Sequence, residues 1–304
     1  MLEILKKLFG SKPKVFKTDI PRRFELLGRV GQGSMSKVWR ARDSHSAKTV
    51  AVKVLDKIKT QRFEARFPGL KKPSEGEVAM KLKHPHIVET YEYGTTTEDE
   101  QFLVMEFVEG VSLTMVIDAQ SESLTKNRLN YMIQLGEALE YFHREGWIHR
   151  DLCPRNIMVD TKEQIRLIDF GLVVPNSPDF RKPGNRTGTA NYMAPELIKR
   201  HATDQRIDIF SYSVTCFEMW TKHLPWESAQ TIDAVIHHIN KPPTDIRTLA
   251  PGIDEEVAAT IMKGLEREPA DRWQTIAEML VPLRHAQQRL QPRKKKPRPT
   301  TDGE

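Results

Sequence analysis

Between Phe24 and Tyr93 the chain alternates short apolar runs with charged breaks: FELLGRV, SKVWRAR, TVAVKVL and IVETYEYG, with QFLVMEF soon after. Runs of this length, rich in β-branched and aromatic residues, predict the strands of a small sheet. A charged stretch from about Thr60 to Leu82 interrupts them, and its later part has helical spacing that ends before the turn HPHI. One helix is therefore expected against the sheet. Beyond Gly110 the period changes. RLNYMIQLGEALEYFH, Arg128 to His143, carries apolar residues three and four apart, the mark of an amphipathic helix. Asp208 to Trp220 is almost continuously apolar and predicts a buried helix, and Glu255–Leu265 and Gln274–Leu290 predict more. Pro/Gly-rich segments at 175–188 and 242–252 read as loops, and no internal repeat is present. The pattern predicts an α+β chain of two lobes. A small β-rich N-lobe with one main helix (24–109) meets a larger helical C-lobe (110–290) through a connector near Glu106–Gly110, with a cleft between them.

A chain of 304 residues supplies ample core for this, and 38% hydrophobic content sets it apart from disordered chains. Cys153 and Cys216 are its two cysteines, far apart in sequence. They give no disulfide framework and no metal cluster, so a reducing, cytoplasmic location is expected. The net charge of +6 is unevenly spread: residues 1–23 carry seven Lys/Arg against two acids, and 291–304 carry five against two, leaving the middle at −2. A pI near 9.2 thus describes the ends, and no specific nucleic-acid partner is expected for the body. No apolar run approaches the roughly 20 residues of a membrane-spanning helix. MLEILKKLFG reads as a short amphipathic helix, either packed on the body or laid on an anionic membrane surface. PRKKKPRP reads as a solvated, disordered basic tail that can attract acidic partners.

The chemistry begins at GQGSMSKV, where Gly31 and Gly33 let backbone N–H groups approach phosphate oxygens; alone, this is an ordinary Gly-rich hairpin. VAVK follows and places Lys53 in an apolar strand, either as a solvated lysine or as a cation reaching the cleft. A buried Lys53 needs an acidic partner: Glu75 is the first candidate and Glu77 the second. In HRDLCPRN, Asp151 can accept a proton from an incoming hydroxyl, and Asn156 can offer a metal its amide oxygen. RLIDFG ends an apolar strand in Asp169, a carboxylate that Mg²⁺ bridging nucleotide phosphates would satisfy.

Taken in order, GQGSMSKV, VAVK, HRDLCPRN, DFG and MAPE resemble the signature of eukaryotic-type serine/threonine protein kinases, over about residues 24 to 290. The resemblance implies the bilobal protein-kinase-like fold, ATP with Mg²⁺ (or Mn²⁺), and protein Ser/Thr acceptors, the chain itself included. It implies that Lys53 binds the α- and β-phosphates, that Asp151 is the base, and that Asn156 and Asp169 hold the metal. Val30, Gly31, Gly33, Val38 and Ala51 would line the nucleotide, with Met105 as gatekeeper and the backbone of Glu106 and Val108 on the adenine. Glu196 and Arg272 resemble the family's buried ion pair, and Asp208 is a structural carboxylate of the same kind.

Two positions depart from the family pattern. Ser36 stands at the third glycine, and Cys153 at the catalytic-loop lysine. Arg155 lies two positions on and can fork onto phosphate oxygens, as an arginine does there in tyrosine kinases, so the charge reads as relocated. Pro154 and GTANYMAPE keep the serine/threonine spelling. Arg150 is the residue that family members use to receive an activation-loop phosphate, with Thr187 as its candidate donor beside Thr189 and Ser177. The alternative reading, motivated by Cys153 and Ser36, is a pseudokinase acting as a nucleotide-binding scaffold.

Overall fold

The computed structural model describes residues 17–32, 35–184, 186–227 and 232–290. The amphipathic N-terminus, the basic tail and Gly33 lie outside these residues. After a short helix α1 (Ile20–Arg23), β1 (Phe24–Gln32), β2 (Ser36–Asp43) and β3 (Thr49–Leu55) pair antiparallel in sequence order. Past the helices of this lobe, β4 (Thr90–Thr95) and β5 (Gln101–Glu106) complete a five-stranded sheet of order β1-β2-β3-β5-β4.

Alternation along β3 decides where its lysine points. Val50, Val52 and Val54 join a small apolar cluster with Phe24 and Phe102 on one face of the sheet. Ala51 and Leu55 face the other way, into the core cluster shared with the C-lobe, and Lys53 falls on that side by the period of two.

The charged stretch after β3 forms two helices where one is expected: α2 (Lys57–Glu64) and α3 (Glu75–Ala79). Pro68–Gly69 and Pro73 break the run between them. Ser74 restarts it with a capping box, accepting from Glu77 N at 3.2 Å while its own N–H donates to Glu77 Oε2 at 2.7 Å. α2 buries only Phe63 and so has no apolar stripe for a periodicity to reveal.

The C-lobe is helical, as expected. Its helices are α4 (Leu113–Ala119), α5 (Glu122–Arg144), α6 (Pro195–Ile198), α7 (Arg206–Thr221), α8 (Ile232–Asn240), α9 (Ile246–Leu249), α10 (Glu255–Gly264) and α11 (Ile276–Leu290). α5 begins six residues before its apolar pattern does, because Ser121 caps it by accepting from Leu124 N at 3.2 Å. α7 runs through the centre, buried without a break from Ile207 to Phe217. Short strands β6 (Gly110–Ser112), β8 (Ile157–Asp160) and β9 (Ile165–Leu167) form one small sheet, and β7 (Trp147–Ile148) pairs with β10 (Val174–Pro175). β9 also ties the lobes: Leu167 N donates to His86 O, and Val88 N to Leu167 O, each at 2.9 Å. No helix of the described residues is long and apolar enough to cross a membrane.

Arg272 is 2% exposed and forks onto Glu196, with both N–O distances 2.7 Å. It also donates to the carbonyls of Arg206, Glu266 and Arg267, which leaves its donors well satisfied. Arg272→Ala strands a buried carboxylate, and urea unfolding should show a loss of about 3–5 kcal/mol.

Candidate active site

Three elements converge on Lys53. Its ammonium donates to Glu75 Oε1 of α3 at 2.5 Å and to Asp169 Oδ1, just past β9, at 2.8 Å. Glu77 is consumed by its helix cap, so Glu75 is the partner. Burial works to discharge the lysine, but the charges of Asp169 and Glu75 outweigh it and hold the Lys53 pKa above its ordinary value. Burial likewise works to protonate Asp169, and Lys53 keeps its pKa below the usual range. Gly171 N–H donates to the same Oδ1 at 3.0 Å, which fixes the carboxylate's orientation.

The loop bearing Asp151 hangs from α7. Asp208, fully buried, accepts the backbone N–H of His149 and of Arg150, both at 2.8 Å, and bonds His143 Nε2 at 2.9 Å. The two backbone bonds flank a left-handed turn at Arg150 (φ 69°), after which Asp151 lines the cleft. Arg150 itself is buried. Burial weighs against its charge, Asp208 supports it, and the like charge of Arg66 opposes it.

Around Asp151 the geometry is tight. Thr189 donates both its N–H and its hydroxyl to Asp151 Oδ1 at 2.7 Å, and Asn156 Nδ2 donates to Asp151 O at 2.8 Å and to Oδ2 at 3.1 Å. Arg155 reaches the same group, its guanidinium donating to Thr189 Oγ1 at 3.1 Å. Cys153 Sγ lies 3.7 Å from that hydroxyl. It is 1% exposed, and burial, with Asp151 next, pushes its thiol pKa up, the setting of a packed and inert cysteine. A side chain at 153 and one at 155 thus address one point.

Val30, Gly31, Val38 and Lys53 from the N-lobe line a cavity of ≈790 Å³ with Asp151, Arg155, Asn156 and Asp169 from the C-lobe. Thr187 and Thr189 border it too. Ala51 and Met105 are register partners on β3 and β5, and Val108 packs against the shared core. Glu106 N–H is taken by Glu89 O at 2.9 Å, so a ligand at Glu106 would meet its carbonyl. Ser36 begins β2, paired with Leu55, and lines the same cavity.

The donor set suits a hard cation. Asn156 uses its Nδ2 and Asp169 its Oδ1, which leaves Asn156 Oδ1 and Asp169 Oδ2 without a hydrogen-bond donor among the described residues. Two protein oxygens plus phosphates and waters is a common Mg²⁺ arrangement. No cluster of three or more His, Cys, Asp or Glu suited to a metal occurs among the described residues.

One positioning residue escapes a reading by motif. Gly188 has φ 134°, and a Cβ there would lie 2.7 Å from Arg150 O. Gly188→Ala should push Thr189 off Asp151 and cut activity at least tenfold with small loss of stability, measurable by steady-state kinetics beside a thermal melt.

A protein kinase domain model matches residues 24–282. The chain is 31% identical over 269 residues to a probable serine/threonine-protein kinase of Streptomyces coelicolor, covering 86% of this chain and 39% of that protein. It is 30% identical to the serine/threonine-protein kinase PknB of Mycobacterium tuberculosis (86% of this chain, 42% of PknB). Against PrkC of Bacillus subtilis, also a serine/threonine-protein kinase, the identity is 28% (88% and 41%). The chain therefore spans about two-fifths of the length of these curated relatives.

Proposed function

This chain belongs to the protein kinase family, in its serine/threonine branch, and we propose that it transfers the γ-phosphoryl group of Mg-ATP to Ser and Thr hydroxyls of proteins, its own included. The observation that carries the reading is the cluster at Thr189. The base candidate Asp151, the metal-side amide Asn156 and the displaced cation Arg155 are tied together there within hydrogen-bonding distance.

In this reading Lys53, held by Glu75, binds the α- and β-phosphates, while the adenine lies between Val30, Val38, Ala51 and Met105 and bonds the backbone of Glu106 and Val108. Asn156 Oδ1 and Asp169 Oδ2 would hold Mg²⁺, which when bound would neutralise charge on the nucleotide's phosphates. Asp151 orients the acceptor hydroxyl and takes its proton as oxygen bonds to the γ-phosphorus and the bridge to ADP breaks. Arg155 keeps its fork aimed at that oxygen-rich centre through Thr189, doing what a lysine at 153 does elsewhere in the family. Incubating the chain with labelled ATP, Mg²⁺ and a generic protein, with Asp151→Asn as control, tests this. Label on phosphoserine and phosphothreonine is expected, and phosphotyrosine in its place would contradict it.

The scaffold reading rests on Cys153 and Ser36. It loses weight because Arg155 bonds the Thr189 hydroxyl that Cys153 Sγ also approaches.

Activation by phosphate belongs to the same proposal. Thr187 Oγ1 is buried without a hydrogen-bond partner among the described residues, on the cavity that Arg66 also lines, and Arg66 acts electrostatically on Arg150. A phosphate on Thr187 would add an anion on the cavity that Arg66 also lines and order the segment. Thr187→Ala should remove the drop in activity that phosphatase treatment causes in the parent chain, by about tenfold in rate. The basic ends, 1–23 and 291–304, suit an acidic partner or an anionic membrane surface. Deleting 291–304 should then weaken salt-sensitive vesicle binding.

A further inference from the structure

We propose that Phe67 and Phe180 form a clasp between the lobes that sets the affinity for Mg-ATP, which makes them positioning residues of the nucleotide site. The clasp rests on the kinase reading of the cleft and adds to it two residues that no motif marks.

On the N-lobe side the clasp is carried by α2, a strap between β3 and α3. At its start Asp56 N–H donates to the carbonyl of Met35, just before β2, at 2.8 Å, and Asp56 Oδ1 caps the helix by accepting from Lys59 N at 2.9 Å. Eight residues are too few for a helix to hold itself, and Phe63 is the side chain it buries. Its order therefore depends on what its rings touch. Phe63 meets Phe67 edge to face, with centroids 5.5 Å apart and planes at 84°, and Phe67 meets Phe180 at 5.4 Å. All three rings are buried.

On the C-lobe side Phe180, in the segment after DFG, stands on a fixed post. Its N–H donates to Ser177 O at 3.0 Å, and the next residue, Arg181, accepts from Thr203 N at 2.9 Å. Arg181 Nε donates to Asn176 Oδ1 at 2.9 Å, and Asn176 Nδ2 to Gln205 Oε1 at 2.8 Å, which fastens this stretch to the residues leading into α7.

What the strap walls in is the ion cluster. Phe63 lines the ≈790 Å³ cavity and also a space of ≈60 Å³ beside Lys53, Lys72, Glu75 and Asp169. Lys72 Nζ lies 5.1 Å over its ring, three residues before Glu75. Phe180 is thus the ring from the C-lobe that pins a strap whose other end adjoins Met35, itself on the cavity wall. An element held by so few buried contacts opens before the rest of the fold. Once it does, water enters beside Lys53 and weakens its hold on phosphate oxygens.

Equilibrium titration of Mg-ATP into the full 304-residue chain and into Phe67→Ala, Phe180→Ala and the double variant tests the clasp. Each single substitution should weaken ATP about tenfold, and the double variant should match either within about twofold, because both remove one contact. Steady-state kinetics should place the loss in KM for ATP, with kcat within about threefold of the parent. Should an alanine variant not fold, Phe67→Leu and Phe180→Leu carry the test: each should weaken ATP about threefold, and the pair together no further. Parent-like affinity in the variants overturns the clasp, as do losses that multiply in the double variant or a fall in kcat with ATP affinity unchanged. Each of these leaves the kinase assignment standing. A parent chain that binds Mg-ATP yet transfers no phosphate strikes that assignment alone, and the affinities still decide the clasp. A parent chain that binds no Mg-ATP strikes the nucleotide site and the clasp with it.

Discussion

Asp151→Asn should bind ATP as the parent does and lose phosphoryl transfer by about 10²–10⁴-fold, the span that a positioned general base supplies. The amide keeps the size of the carboxylate, and its oxygen can still accept from Thr189 N–H, which now meets Oδ1 at 2.7 Å. What disappears is the acceptor for the hydroxyl proton and one negative charge beside Asn156 and Arg155. Because Lys53, Glu75 and Asp169 form their own ion cluster, nucleotide affinity rests on groups the substitution does not touch. A single-turnover burst together with an equilibrium titration of ATP separates the two effects. A variant that also lost ATP binding would show Asp151 to be part of the nucleotide site.

Arg155→Ala should lower the single-turnover rate by about 10²–10³-fold, the cost of deleting one preorganised donor where charge develops. Two further consequences distinguish this from a loss of packing. Arg155 is exposed, so the melting temperature should hardly move. Arg155→Lys should recover only part of the rate, because a lysine offers a point charge in place of a planar fork. Thr189 would keep its bonds to Asp151 in either variant, and the loop would stay anchored at Asp208.

Much of this was open to inspection in the letters because it follows short-range rules. The period of two along TVAVKVL places Lys53 on the face of Ala51 and Leu55, and the near-continuous apolar run from Asp208 becomes the buried α7. Other features needed three dimensions. Glu75 and Glu77 are both acids near the start of one helix, and only the capping box with Ser74 shows which is free for Lys53. α2 was invisible because tertiary contacts of Phe63 and Phe67 hold it, with no amphipathic pattern to betray it. The contact of Phe67 with Phe180 was hidden for the same reason. Ser36 stands at the third glycine of the motif, and only the fold shows that it begins β2 and lines the cavity. The exchange of Cys153 for Arg155 was legible as spacing, but that both side chains address Thr189 Oγ1 is a fact of the folded loop.

If a guanidinium at 155 stands in for an ammonium at 153, a lysine returned to 153 should rescue its loss. Cys153 Sγ already lies 3.7 Å from the hydroxyl that Arg155 bonds, so a lysine grown from that position would extend toward the same place. Single-turnover transfer should fall in Arg155→Ala and return to within about tenfold of the parent when Cys153→Lys is added. An Arg155→Ala chain that transfers phosphate at the parent rate would show that the guanidinium has no such role.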